Sequence, residues 1–128
     1  MKPVFQTRFG RPFGNCWAAS IASILELPLE AVDWSADMTA DEIEAEDGAL
    51  FGVRMTARLT QLGYWQARGI KPDVASQLPP GAHYLVLGNT SSGVGHVVVG
   101  CEGRIVHDGN PKSGGLAEIE ELAVLVRL

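Results

Sequence analysis

Cys16, His96 and Asp108 are the residues of this chain whose types and order could make and break a covalent bond. Cys16 follows Gly14-Asn15 and stands at the head of CWAASIASILEL, a run that is apolar on nearly every side. Gly-Asn ahead of such a run is a helix-start signal, and a helix that is hydrophobic all round is a buried one. The sulfur would then lie beside the unpaired N–H groups and the positive end of the helix dipole. That setting favours the thiolate, the nucleophilic form of cysteine. Cys16 alone fits an inert core role better than a catalytic one, because free cysteine is among the most buried residue types.

His96 shifts that balance. It opens the run GHVVVGC just after Gly93-Val94-Gly95, where glycines allow a substrate or another segment to come close; Gly95 is therefore a candidate substrate contact. Asp108 follows one apparent hairpin turn later, in RIVHDGNP. Antiparallel pairing would set His96, near the start of one strand, against Asp108, near the end of the next. An acidic partner there fixes the imidazole tautomer and stabilises the imidazolium. A structural His–Asp pair at a sheet end is the other reading of those two residues. Asn110 is a second residue that could orient the histidine, but it lies beyond Gly109 in a turn, whereas Asp108 leaves a strand directly.

Other polar residues are sorted by position. Cys101 lies an odd number of residues after His96 and faces away from it on a regular strand, and His107 points opposite to its neighbour Asp108. His83 has no matched acidic neighbour. An acyl-transfer site also needs donors for an oxyanion. The backbone N–H of Cys16 is one; Gln6 is a side-chain candidate and Asn15 a weaker one. Trp17, bulky and amphipathic, is suited to walling the site.

The elements that must position these residues follow from patterning. Met1 to Phe13 mixes Pro, Gly and Arg with aromatics and reads as irregular chain. After the buried helix, Pro28 breaks the pattern and LEAVDW adds a helical turn; Thr39 to Glu42 forms a capping box. The run after Gly48 is an amphipathic helix with Leu50, Val53, Ala57 and Leu62 as its apolar face, stopped at Gly63, and YWQAR is a short strand. Beyond Pro79-Pro80-Gly81 come AHYLVLGN, GHVVVGC, RIVHD and LAVLVRL, short Val- and Leu-rich strands, with a tight hairpin at Cys101-Glu102-Gly103-Arg104. The expectation is one α+β domain over residues 1–128, its first helix packed on a C-terminal antiparallel sheet.

Composition narrows the function classes. The 128 residues carry a formal net charge of -5, with ten basic residues scattered singly, which argues against nucleic acid or an anionic membrane as partner. No run reaches membrane-span length and no signal-type segment follows the N-terminus, so the expected location is cytoplasmic. Two cysteines cannot make a disulfide scaffold, and no paired Cys/His spacing marks a structural zinc site. Neither a metal nor another cofactor is expected.

GNCWAA resembles the nucleophile motif of papain-like cysteine peptidases, in which a cysteine and an aromatic residue open the long central helix. Together with the upstream Gln6, GHVVV and HDGNP, it is most similar to the compact bacterial and phage branch of that superfamily, which includes bacteriocin-leader peptidase domains. Small phage proteins with an N-C-aromatic-x-A helix start, an LPLE-type segment and a late G-H strand are closer in length. The specific motifs cover residues 6–20 and 93–111, and the order of elements agrees over nearly the whole chain. The resemblance implies Cys16 as nucleophile, His96 as general base, Asp108 as its orienter and Gln6 as oxyanion donor. It also implies a peptide or protein substrate. The Gln6-to-Cys16 separation is longer than is usual in the family, and the insertions that form substrate subsites in larger members are missing. The expected activity is hydrolysis of a peptide, isopeptide or other amide bond through a thioester. The same residues would serve a transglutaminase or deamidase, and a protein-binding module on this scaffold is a different class of function. Substrate identity and oligomeric state are not legible.

Overall fold

The computed structural model describes all residues, Met1–Leu128, and has the expected α+β division. Four helices come first: α1 (Cys16–Leu25), α2 (Leu29–Val32), α3 (Ala40–Glu44) and α4 (Ala49–Leu62). Five strands follow: β1 (Tyr64–Ile70), β2 (His83–Asn89), β3 (Gly95–Cys101), β4 (Arg104–His107) and β5 (Glu118–Arg127). Every strand pair is antiparallel, in the order β1-β5-β2-β3-β4. No helix is long and apolar enough to cross a membrane.

The central hairpin β2–β3 is buried along its middle on both strands, because apolar layers lie on both sheet faces. On one face Leu85, Leu87, Val97 and Ala123 pack against Ala18, Ile21 and Ala22 of α1 and against Met55 and Leu59 of α4. On the other, Tyr84, Val86, Val98 and Leu122 form a smaller cluster under Ile70, Leu78 and Leu116. The tight β3–β4 turn holds Glu102 and Gly103 at φ +51° and +78°, the two left-handed positions of a hairpin turn whose twist matches the strands.

α1 is built for close approach. Ala18, Ala19, Ser20, Ala22 and Ser23 are all buried and small. Ser20 Oγ lies 2.8 Å from Cys16 O and 3.1 Å from Val97 O, tying the helix to β3. Ser23 Oγ accepts from Val4 N at 2.9 Å, and Lys2 N donates to Ser23 O, so the N-terminal segment runs along the helix. The capping box at Thr39 and Glu42 forms as expected. The apolar face of α4 is the expected one only in part, with Leu50 and Leu62 packed on the core. Met55 and Leu59 are buried and Phe51 and Leu62 pack on the core, whereas Val53 is 65% exposed and Ala57 faces solvent. Spacing of 51, 55, 59 and 62 follows the helical period just as well and presents larger side chains to the core.

Asn15 stands at the N-cap position yet caps nothing with its side chain. Its Oδ1 accepts from Thr7 N and Arg8 N, both at 3.1 Å, and its Nδ2 donates to Thr7 Oγ1 and to Asp33 Oδ2. Asp33 in turn pairs with Arg8 at 2.5 Å and takes hydrogen bonds from Ser35. Burial pushes the Asp33 carboxyl up, but hydrogen bonds from Arg8, Asn15 and Ser35 outweigh it and leave the pKa below the ordinary carboxylate value. A depressed carboxylate stabilises the fold above its unfolded pKa and loses that contribution as pH falls through the folded one. Asn15→Ala should cost about 1–3 kcal/mol in urea unfolding at pH 7, since it leaves the part-buried Thr7 and Arg8 N–H groups and the Thr7 hydroxyl without their partner. Asp33→Asn should also be less stable than wild type at pH 7, with the gap closing from roughly pH 5 downward. A gap that stays constant with pH would show that the charge of Asp33 does not matter.

Candidate active site

α1, β3 and the segment after β4 converge at one end of the sheet. His96, at the second position of β3, is 7% exposed, and its Nε2 sits 2.7 Å from Asp108 Oδ1. Cys16, in the first turn of α1, lines the same cleft as this ring, and its sulfur favours the ring's protonated form. Burial lowers the His96 pKa, but the hydrogen bonds and charges of Cys16 and Asp108 outweigh it and raise the net value. The protonated ring thus stabilises the fold below its ordinary pKa, and that contribution fades as pH rises through the raised one.

Asp108 is held at both oxygens. Oδ1 accepts from Asn110 N at 2.9 Å as well as facing His96, and Oδ2 accepts from Ser113 Oγ at 2.5 Å. Ser113 Oγ is itself fixed by Gly115 N. Burial raises the carboxyl's pKa, but Ser113, Asn110 N–H and His96 together bring it below the usual carboxylate range. Gly109 lets this turn approach the N-terminal segment: a Cβ there would sit 3.3 Å from Ala19 Cβ and 3.4 Å from Gln6 Cγ. Gln6 N donates to Gly109 O at 3.0 Å across that contact.

Gln6 is 8% exposed and lines the same cleft as Cys16 and His96. Its Nε2 donates to Arg8 O at 3.1 Å, which leaves a second amide hydrogen, and its Oε1 is buried without a partner. Because the Asn15 side chain is engaged elsewhere, no side chain caps the first-turn N–H groups of α1 beside the sulfur. The cleft holds about 360 Å³ and opens between the loop ahead of α1, the β2–β3 turn and the loop after Asp108. Larger hollows lie between α4 and β1, beside Ile43 and at the β3–β4 turn; the last is lined by Cys101, and none of the three by a histidine.

The remaining sequence candidates fall as follows. Gly95 lines the cleft, and a Cβ there would meet no protein atom within 4 Å. Trp17 does not wall the site. It points about 100° around the helix from Cys16, with its Nε1 donating to Gln66 Oε1 at 2.8 Å, its ring near Phe51 and Arg68 over it. Asn15, the weaker oxyanion choice, spends both amide hydrogens inside the fold and is 2% exposed. Asn110 offers its backbone N–H to Asp108, and its side chain accepts from Lys112 N. Cys101 and His83 pair with each other at the far end of the β2–β3 hairpin. The His107 Nε2 lies 2.7 Å from Val4 O, its ring edge-on to Phe5. Ser113 was not read from the sequence; the turn chemistry of Asn110-Pro111-Lys112-Ser113 behind an aspartate was the available signal. No three or more His, Cys, Asp and Glu side chains are grouped to hold a metal ion.

No protein-family model matches this chain, and neither a curated protein nor a solved structure matches it. The geometry stands on its own residues. By NMR, the His96 ring should titrate above the ordinary histidine value. Asp108→Asn should move that titration down by removing a charge and a charge-assisted hydrogen bond, and Ser113→Ala should move it less in the same direction. A His96 titration that does not respond to Asp108→Asn would show that the two groups are uncoupled in solution.

Proposed function

We propose that this chain is a papain-like cysteine hydrolase that cleaves a peptide, isopeptide or other amide bond through Cys16, His96 and Asp108. One observation carries the reading: a half-buried cysteine at a helix N-terminus lines one cleft with a buried imidazole that a carboxylate holds. A nucleophile, a base and a group that orients the base are the minimum set for covalent acyl transfer.

In the proposed reaction the Cys16 sulfur attacks the carbonyl carbon while its proton resides on His96. The carbonyl electrons move to oxygen, and this oxyanion takes hydrogen bonds from the first-turn N–H groups of α1 and from the free amide hydrogen of Gln6. Collapse expels the amine, which leaves with the proton from His96, and a thioester remains on Cys16. Water then gives a proton to His96 as its oxygen attacks the thioester; the acid departs and the thiol is restored. Asp108 stays ionised and holds the ring in the tautomer that serves both proton transfers.

Alkylation and acylation separate the roles. Near pH 6 iodoacetamide should modify Cys16 well before Cys101, and His96→Ala should abolish the difference. With p-nitrophenyl acetate, wild type should release a burst of nitrophenol equal to one acyl group per Cys16, absent in Cys16→Ala. Gln6→Ala should slow that acylation by on the order of tenfold to a hundredfold, because an oxyanion donor acts only where an oxyanion forms, while iodoacetamide labelling stays unchanged. Equal alkylation of both cysteines, matching free cysteine, would overturn the nucleophile assignment.

A further inference from the structure

The lining of the Cys16 cleft departs from the character of the chain. Acidic residues outnumber basic ones 15 to 10, yet the two charged residues lining the cleft are both cations, Arg11 and Lys112. Both are exposed, and neither takes part in an ion pair or donates a side-chain hydrogen bond. Arg8, Arg54 and Arg68 are each committed to a carboxylate, while Arg58, Lys71, Arg104 and Arg127 are unpaired but lie away from the cleft. Arg11 also borders the neighbouring hollow that contains Glu44 and Asp47, and still pairs with neither.

Arg11 comes from the loop ahead of α1 and Lys112 from the loop after Asp108. Those segments are joined by the Gln6–Gly109 backbone hydrogen bond, so the two cations ride on parts of one assembled site. The β2–β3 turn adds the hydroxyl-bearing Thr90 and Ser92. Most of the lining residues are polar or glycine, with Val94 and Pro12 as its apolar side chains besides Cys16. The one carboxylate near the chemistry, Asp108, is occupied by His96, Asn110 N–H and Ser113.

We propose that Arg11 and Lys112 form an anion subsite, so that the substrate of the proposed hydrolase carries a carboxylate close to the bond that Cys16 attacks. The inference rests on the reading of Cys16 as nucleophile and adds the chemical class of the substrate, an acidic peptide segment. The carboxylate comes from an acidic side chain or from a chain terminus; the two share one chemistry. An exposed subsite of this kind acts through screened Coulomb attraction, so its effect is modest and weakens with salt.

Three matched probes test it: iodoacetyl-glutamic acid α-amide, iodoacetyl-glutamine free acid and iodoacetyl-glutamine amide, with iodoacetamide as reference. At low ionic strength one or both acidic probes should label Cys16 about three- to tenfold faster than the neutral one. Whichever does so identifies a side-chain or a terminal carboxylate. The preference should shrink in 0.5 M salt, where the screening distance falls to about 4 Å. It should vanish in Arg11→Gln/Lys112→Gln, whose iodoacetamide rate at Cys16 remains that of wild type. Equal labelling by all three probes, or a preference that survives the double substitution, overturns the subsite while leaving the nucleophile standing. Iodoacetamide labelling of Cys16 no faster than that of Cys101 overturns the nucleophile and the subsite with it.

Discussion

The carboxamide of Asn15 sits at the junction on which the rest of the structure depends. It is 2% exposed and uses its oxygen and both amide hydrogens to join the Thr7-Arg8 backbone, the Thr7 hydroxyl and Asp33. Burying so many polar groups is favourable only if each finds a partner, which makes the network demanding and therefore specific. Its result is a first helical turn held in one place against residues 6–8. An N-cap asparagine ordinarily folds back onto its own helix. Here that bond is forgone, and the N–H groups beside Cys16 stay open to a ligand.

The sheet contributes the other half of the site by the same logic of fixed backbone. β3 delivers His96, and the bulge in its pairing with β4 lies between Val99 and Gly100, well away from the histidine. β4 ends at His107, so Asp108 is the first residue freed from the ladder and can turn its carboxylate onto the ring. The chain then uses a short run of turn contacts, Asn110 N and Ser113 Oγ, to hold that carboxylate from behind. A charge so held need not reorganise when the imidazole gains or loses a proton, the condition under which electrostatic stabilisation is most effective.

The two halves meet through backbone contact as much as through side chains. Gln6 N on Gly109 O and the close approach of Gly109 to Ala19 stitch the N-terminal segment, the turn after β4 and α1 together. The cleft is therefore bounded by three loops, each anchored to a buried element. In the proposed hydrolase, specificity would belong to those loops and chemistry to the elements they leave.

Cys16 at a helix start, the helical first half and the Val-rich strands of the second half were all legible in the sequence, because helix signals and period-2 patterning are local. So were His96 and Asp108 as candidate neighbours, since a single short hairpin leaves little freedom between them. Local pattern could not say that β5 would lie between β1 and β2, because strand order depends on contacts far apart in the chain. Nor could it place Trp17: one step along a helix turns a side chain by about 100°, and only the docking of α1 decides which side meets the cleft. Asn15 likewise reads as a cap until Asp33 and Arg8 arrive to claim it. The sequence by itself determined which residues could do chemistry and on which elements they ride. Tertiary structure alone decided which of them face one another, because burial commits each polar group to the partner that the packing supplies.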